Sequence, residues 1–125
     1  MRKLKVLIAD ATDSIRQFIK LTLMDHFPDI ETSVASSGKN IKQKIESNGY
    51  DLIICERELP MLGGDELLEW LRKHESLKHI PVIIISLDRY ENSIKKAISL
   101  GVNGYLIKPL LMEPLVKKVK EIIGH

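Results

Sequence analysis

Four residues able to carry charge or share a proton stand at the ends of short apolar runs. Asp10 follows Val6 to Ala9, Glu56 follows Leu52 to Cys55, Ser86 follows Val82 to Ile85, and Lys108 follows Tyr105 to Ile107. Runs this short, rich in β-branched side chains, read as strands buried on both faces. In a doubly wound parallel sheet the carboxyl ends of the strands border one crevice, so two carboxylates, a hydroxyl and an amine converge there. The cluster is close to charge balance, because the Lys108 amine can neutralise one carboxylate. At an effective dielectric of roughly 20 a close pair is worth up to about 4 kcal/mol before desolvation is subtracted. Lys108 precedes Pro109, and an X-Pro bond directly after a strand is a candidate cis peptide that aims the lysine back across the end of the sheet. Taken singly, each residue has a plainer reading: Asp10 as a turn or helix cap, Ser86 as a local hydrogen bonder, Lys108-Pro109 as a turn.

The elements that must hold these residues are legible from period. A further run, Ile30 to Ala35, alternates Ile30, Thr32 and Val34 with Glu31 and Ser33, the pattern of an edge strand with one buried face. Between the runs the period becomes helical. Ile15, Phe18, Ile19 and Leu23 share a face after a cap at Thr12 or Asp13, followed along the chain by Ile41 with Ile45, Leu67 with Leu68 and Leu71, and Ile94 with Ala97 and Ile98. Val116, Val119 and Ile123 mark the last helix, with Pro114 in its first turn. Strand alternating with helix predicts an α/β fold: one doubly wound five-stranded parallel sheet in the flavodoxin-like order 2-1-3-4-5, with helices on both faces.

Composition narrows the function. The chain has 125 residues, 44% hydrophobic and 29% charged, which predicts one globular domain over residues 1–125. A net charge of +2 argues against nucleic acid as the main partner. The basic opening Met1-Arg2-Lys3-Leu4-Lys5 is followed by too short an apolar run for a signal peptide, and no run approaches the roughly 18 apolar residues of a membrane span. The single cysteine, Cys55, excludes an internal disulfide, and a cytoplasmic location is expected. A flavin phosphate calls for a glycine- and hydroxyl-rich loop, whereas Asp10-Ala11-Thr12-Asp13 is acidic and without glycine. No dinucleotide or P-loop glycine motif occurs, and His26, His74, His79 and Cys55 lack metal-ligand spacing.

Val6-Leu7-Ile8-Ala9-Asp10, Tyr50-Asp51-Leu52-Ile53-Ile54-Cys55-Glu56, the loop Leu59-Pro60-Met61-Leu62-Gly63-Gly64, Ile80-Pro81-Val82-Ile83-Ile84-Ile85-Ser86 and Gly101-Val102-Asn103-Gly104-Tyr105-Leu106-Ile107-Lys108-Pro109 follow one another at characteristic spacing. Over residues 4–123 the chain resembles the receiver domain of two-component response regulators. The resemblance implies a phosphoacceptor position at Glu56, a Ser86, Tyr105 and Lys108 set that binds phosphoryl oxygens and switches state, a cis Pro109, and metal positions at Asp10, Glu56 and the backbone of Glu58.

Two positions depart from that pattern. Glu56 stands where the family has its acceptor Asp, and Ala11 where it has the second acid of the metal-binding pair. The added methylene of Glu56 carries the carboxylate into the space of the phosphoryl group, and useful geometry tolerates errors of only about half an ångström. With one acid fewer, Mg²⁺ binding is disfavoured, no cofactor is expected, and the Glu58 side chain is expected to face solvent. The reading is a non-enzymatic, degenerate receiver that acts by protein interaction, with Glu56 either a stand-in for phosphoaspartate or part of an inactive scaffold. A working phosphoacceptor using an atypical acid is the alternative, and a flavodoxin-like enzyme or flavoprotein the alternative of another class. The resemblance implies a protein partner, a histidine kinase or a downstream target, or a second copy, bound at the face of the fourth helix, fifth strand and fifth helix. Lys95, Lys96, Lys117, Lys118 and Lys120 are expected to point outward there, with at least one of Leu110, Leu111 and Met112 exposed. No output domain is expected within the 125 residues.

Overall fold

The computed structural model describes residues 3–124. The elements run β1 (Leu4–Ala9), α1 (Asp13–His26), β2 (Ile30–Ala35), α2 (Ile41–Asn48), β3 (Leu52–Glu56), α3 (Gly64–Lys73), β4 (Val82–Ser86), α4 (Glu91–Ser99), β5 (Gly104–Ile107) and α5 (Met112–Ile123). The strands form one parallel sheet in the order β2-β1-β3-β4-β5, as the pattern predicts. Ala9 pairs with Cys55, Glu56 with Ile85, and Ser86 with Ile107, so four strand ends come nearly level along one edge of the sheet.

Alternation along the strands divides the core in two. Leu7, Ala9, Ile53, Cys55, Val82 and Ile84 pack with Ile41 and Ile45 of α2, Leu67, Leu68 and Leu71 of α3, and Ala97 of α4. Val6, Ile8, Leu52, Ile54, Ile83 and Ile85 pack with Ile19 and Leu23 of α1 and with Leu115, Val116 and Val119 of α5. Each of the valine, leucine and isoleucine side chains among them contributes about 1.5–3 kcal/mol by leaving water.

Two residues that period places inward lie outward. Ile98 is 62% exposed, because α4 seats Ala97 against the core and the next residue is turned about 100° away. Val34 is 45% exposed although it pairs with Ile8, on β2 at the edge of the sheet, where a strand has a neighbour on one side alone.

Close approaches and one arginine tie the loops. A side-chain carbon at Gly63 would lie 2.6 Å from the Arg57 carbonyl oxygen, and one at Gly64 would lie 3.1 Å from the Arg57 Cα, so the loop after β3 folds tightly over the strand end. At the opposite end of the sheet the Arg72 guanidinium donates to the carbonyls of Gly101, Lys78 and Ile80 and to Oδ1 of Asn103. Asn103 Oδ1 also accepts the Val82 N–H, so α3, the start of β4 and the loop before β5 share one knot.

Candidate functional site at the carboxyl ends of the strands

Alternation does more than divide the core: it sorts the chemistry. Glu56 continues the row of Leu52 and Ile54 on the α1 and α5 side, and Lys108 continues that of Leu106. Arg57 and Tyr105 fall in the opposite row, and Ser86 follows Ile84 onto the same α3 and α4 side.

On the first side Lys108 is buried between two carboxylates. Its Nζ lies 2.9 Å from Asp10 Oδ2 and 2.9 Å from Glu56 Oε2. Asp10 is fully buried, and its other oxygen accepts the Thr12 N–H at 2.8 Å. The plain reading of Asp10 as a turn residue and the ion-pair reading therefore both hold, while Thr12 stands at the N-cap position without a side-chain cap bond. The second oxygen of Glu56 accepts the Ala11 N–H at 3.0 Å. Burial opposes the Lys108 charge, but hydrogen bonds to Asp10 and Glu56 and the attraction of their charges outweigh it, and the amine titrates above its ordinary value. The Lys108-Pro109 bond is cis.

On the second side Ser86, also buried, donates to Glu58 Oε2 at 2.6 Å and accepts the Asp88 N–H at 2.9 Å. Glu58 is exposed, in line with the expectation that its side chain faces solvent, and its carboxylate in addition accepts from the serine, because a buried hydroxyl needs an acceptor. Tyr105 donates to the Asp88 carbonyl at 2.6 Å. Arg57 pairs with Asp65 at 2.7 Å and lies 3.6 Å from Asp88 Oδ2. The Asp88 carboxyl is held below its usual range by the Ser93 hydroxyl first, then by the Tyr90 N–H and Arg57.

Sequence reasoning passed over Arg57, Asp65 and Asp88. Their signal was present in part: Arg57 keeps step with Ile53 and Cys55, and Asp65 lies in the first turn of α3, directly after the two glycines that draw the loop onto Arg57. Cys55 carries no chemistry, since burial, then the charges of Glu56 and Asp10, push its thiol far up.

The donor set does not suit the divalent cation that the resemblance implies. Ala11 offers a methyl group, the Lys108 ammonium lies between the two remaining carboxylates, and among the described residues no group of three or more His, Cys, Asp or Glu is placed to hold a metal ion. Instead the one ammonium is shared by both carboxylates, which leaves the three side chains with a single net negative charge.

Of the lysines expected on the face of α4, β5 and α5, Lys95, Lys96, Lys117 and Lys120 are exposed and Lys118 is half-buried against Gly104 of β5, while Lys117 and Lys120 border a groove with Met112 and with His26 at the end of α1. The face is less basic than a count of lysines suggests, because Lys95 pairs with Glu91 at 3.0 Å, Lys118 with Glu121 at 2.9 Å, and Lys96 lies 3.9 Å from Asp65. Leu111 is 65% and Met112 50% exposed. Among the described residues no helix is long and apolar enough to cross a membrane.

The model of the response regulator receiver domain matches residues 6–120. Chemotaxis protein CheY of Pseudomonas aeruginosa is 31% identical over 119 residues, 95% of either chain. Chemotaxis protein CheY-3 of Vibrio cholerae is 30% identical over 121 residues, 97% of this chain and 92% of that one. The receiver domain of the Francisella response regulator 1452 superposes with a TM-score of 0.87 at 34% identity over 98% of both chains, and CheY4 of Vibrio cholerae with 0.86 at 27% identity over 96% of this chain and 98% of that one. With sheet order, family model and relatives in agreement, the chain belongs to the response regulator receiver domains of two-component signalling.

Proposed function

We propose that this receiver domain is degenerate: it works as a protein-interaction module and is not driven by phosphorylation. The observation that carries the reading is the position of Glu56. Its carboxylate bridges Lys108 and the Ala11 N–H, so the longer side chain fills the room that a phosphoryl group or metal ion would need, on the side where Ala11 removes the second metal acid. Asp10, Glu56 and Lys108 leave one net negative charge, too little to draw a hard dication from water through two carboxylates already engaged by an ammonium.

The contact face in this reading is α4, β5 and α5, with Leu111 exposed just ahead of α5 and Lys95, Lys96 and Lys118 carried by its two helices. A partner with an apolar patch ringed by carboxylates fits it, whether a kinase, a downstream target or a second copy. Its binding is expected to weaken with salt and with charge reversal at Lys95 and Lys96, because exposed charges are screened within about 10 Å at 0.1 M salt.

Intact-mass spectrometry with Mg²⁺ and acetyl phosphate tests the central claim. The wild-type chain and the single variants Glu56→Asp and Ala11→Asp are expected to stay unmodified, while the double variant gains a phosphoryl group, since reach and metal binding must be restored together. A gain of roughly 80 Da on the wild-type chain, one phosphoryl group, overturns the reading.

A further inference from the structure

We propose that an open cavity beside the edge strand β2 is a binding site for a small organic phosphate, an ester dianion whose carbon part lies against an apolar stretch of the wall. The cavity measures about 460 Å³ and is walled by α1, the end of β2, the loop that leads into α2, and α2 itself. That volume falls in the range of roughly 300–1,000 Å³ usual for small-molecule pockets. Its wall shares no residue with the Asp10, Glu56 and Lys108 cluster or with Ser86, so the site stands apart from the question of whether Glu56 accepts a phosphoryl group.

Charge selects the ligand class. The ionisable residues of the wall are Arg16, Lys39 and Lys44, all cationic, and among the described residues no carboxylate lines the cavity. Elsewhere on the surface Lys73, Lys78, Lys95 and Lys118 each stand within 4.0 Å of a glutamate. Lys39 and Lys44 have no such partner among the described residues. Half-buried Lys44 donates instead to the Val34 carbonyl at 3.1 Å, a bond that holds the ammonium in place without cancelling its charge. Half-buried Arg16 donates to the Asp10 carbonyl at 2.7 Å and pairs with Asp13 at 3.0 Å; Asp13 is exposed and outside the cavity wall, and it offsets only part of the charge. Two of the three cations are therefore held before a ligand arrives, which lowers the ordering cost of binding an anion.

Neutral donors and the apolar wall narrow the class. Among the described residues the side chains of Ser36 and Asn40 make no hydrogen bond, and the Ser37 hydroxyl accepts the Lys39 N–H at 3.2 Å while its own proton stays free to donate. Cations interleaved with neutral donors suit a phosphate group, which carries about −1.5 to −2 charge and three acceptor oxygens. The rest of the wall is apolar: exposed Val34, half-buried Ala35 and buried Ile41. Val34 is the residue at which the edge strand departs from its period, and a carbon skeleton laid against it takes that side chain out of water. Inorganic phosphate has nothing to place there, which favours the ester. Such an occupant joins α1 to α2 across the end of β2, a route by which a small molecule acts on a receiver without phosphoryl transfer.

The test is a titration of the whole, isotopically labelled chain with adenosine monophosphate and, separately, with phenyl phosphate at constant ionic strength, read by amide NMR, with inorganic phosphate as the comparison. Saturable shifts centred on Ala35, Ser36, Lys39 and Asn40 are expected, with half-saturation below about 1 mM for the tighter ester and inorganic phosphate at least about tenfold weaker. Lys39→Glu and Lys44→Glu are each expected to weaken ester binding at least about tenfold. Lys73→Glu, which makes the same change of charge on α3, is expected to leave it unaltered. Should Lys44→Glu not fold, Lys44→Gln, which removes the charge alone, carries the expectation of weaker binding. The proposal fails if neither ester moves these amides, if the shifts centre instead on Ala11, Ser86 and Lys108, or if Lys73→Glu weakens binding as much as Lys39→Glu, the mark of unspecific attraction to lysines. Inorganic phosphate binding as tightly as both esters overturns the ester class and the part given to Val34.

Discussion

At the residue scale the charge balance of the strand ends turns on Lys108. Its folded titration point lies above the unfolded value of about 10.4, so its contribution to stability is fully present below that pH and is lost as pH rises through the folded value. Denaturant unfolding is expected to show this loss in wild type on the alkaline side and to lack it in Lys108→Met. At neutral pH Lys108→Met is expected to cost about 3–5 kcal/mol, because buried Asp10 and half-buried Glu56 lose their shared cation and each keep only a backbone N–H. Asp88 has the opposite sign: its depressed carboxyl contributes above its unfolded value of about 3.9 and loses that contribution as pH falls. Ser93→Ala, which removes the foremost cause of the depression, is expected to raise the Asp88 titration point, read by carboxyl NMR. Asp10, Glu56 and Lys108 are legible in the sequence because residue type and strand position suffice to bring them together. Glu58 is not, since a loop residue has no period from which to read where its carboxylate turns.

At the element scale the strands and their order are readable because central parallel strands are apolar on both faces and announce themselves as continuous runs. Helix orientation is readable only where several residues share the buried stripe. The α3 stripe of Leu67, Leu68 and Leu71 defines its inner face, and Leu67→Ala is expected to lower stability by about 2–5 kcal/mol in urea unfolding, as loss of contacts and an unfilled volume combine. In α4 Ala97 alone is buried, so period misplaces the neighbouring isoleucine; Ile98→Lys is expected to change the unfolding midpoint little. The loop after β3 is the most exacting element. A methyl group at Gly63 meets the Arg57 carbonyl, a backbone atom that cannot swing aside, and Gly63→Ala is expected to cost about 1–3 kcal/mol and to shift the Arg57 and Asp65 resonances together.

At the scale of the whole molecule the two ends of the sheet are built differently. The carboxyl ends carry carboxylates, an ammonium and hydroxyls whose bonds run between loops, and such bonds can exchange partners without disturbing the core. The other end is tied by Arg72, whose guanidinium holds three carbonyls and the Asn103 side chain. Hydrogen exchange is expected to reflect this polarity: the Val82 and Asn103 amides open only with global unfolding, the Asp88 amide through local opening, and Arg72→Ala brings the first pair toward the second. The arginine is in effect an anchor. With α3, the start of β4 and the approach to β5 pinned at one end and β4 paired on both sides, a rearrangement of the β4–α4 turn is expected to be confined to the far end, where it meets the α4 surface before it meets the sheet.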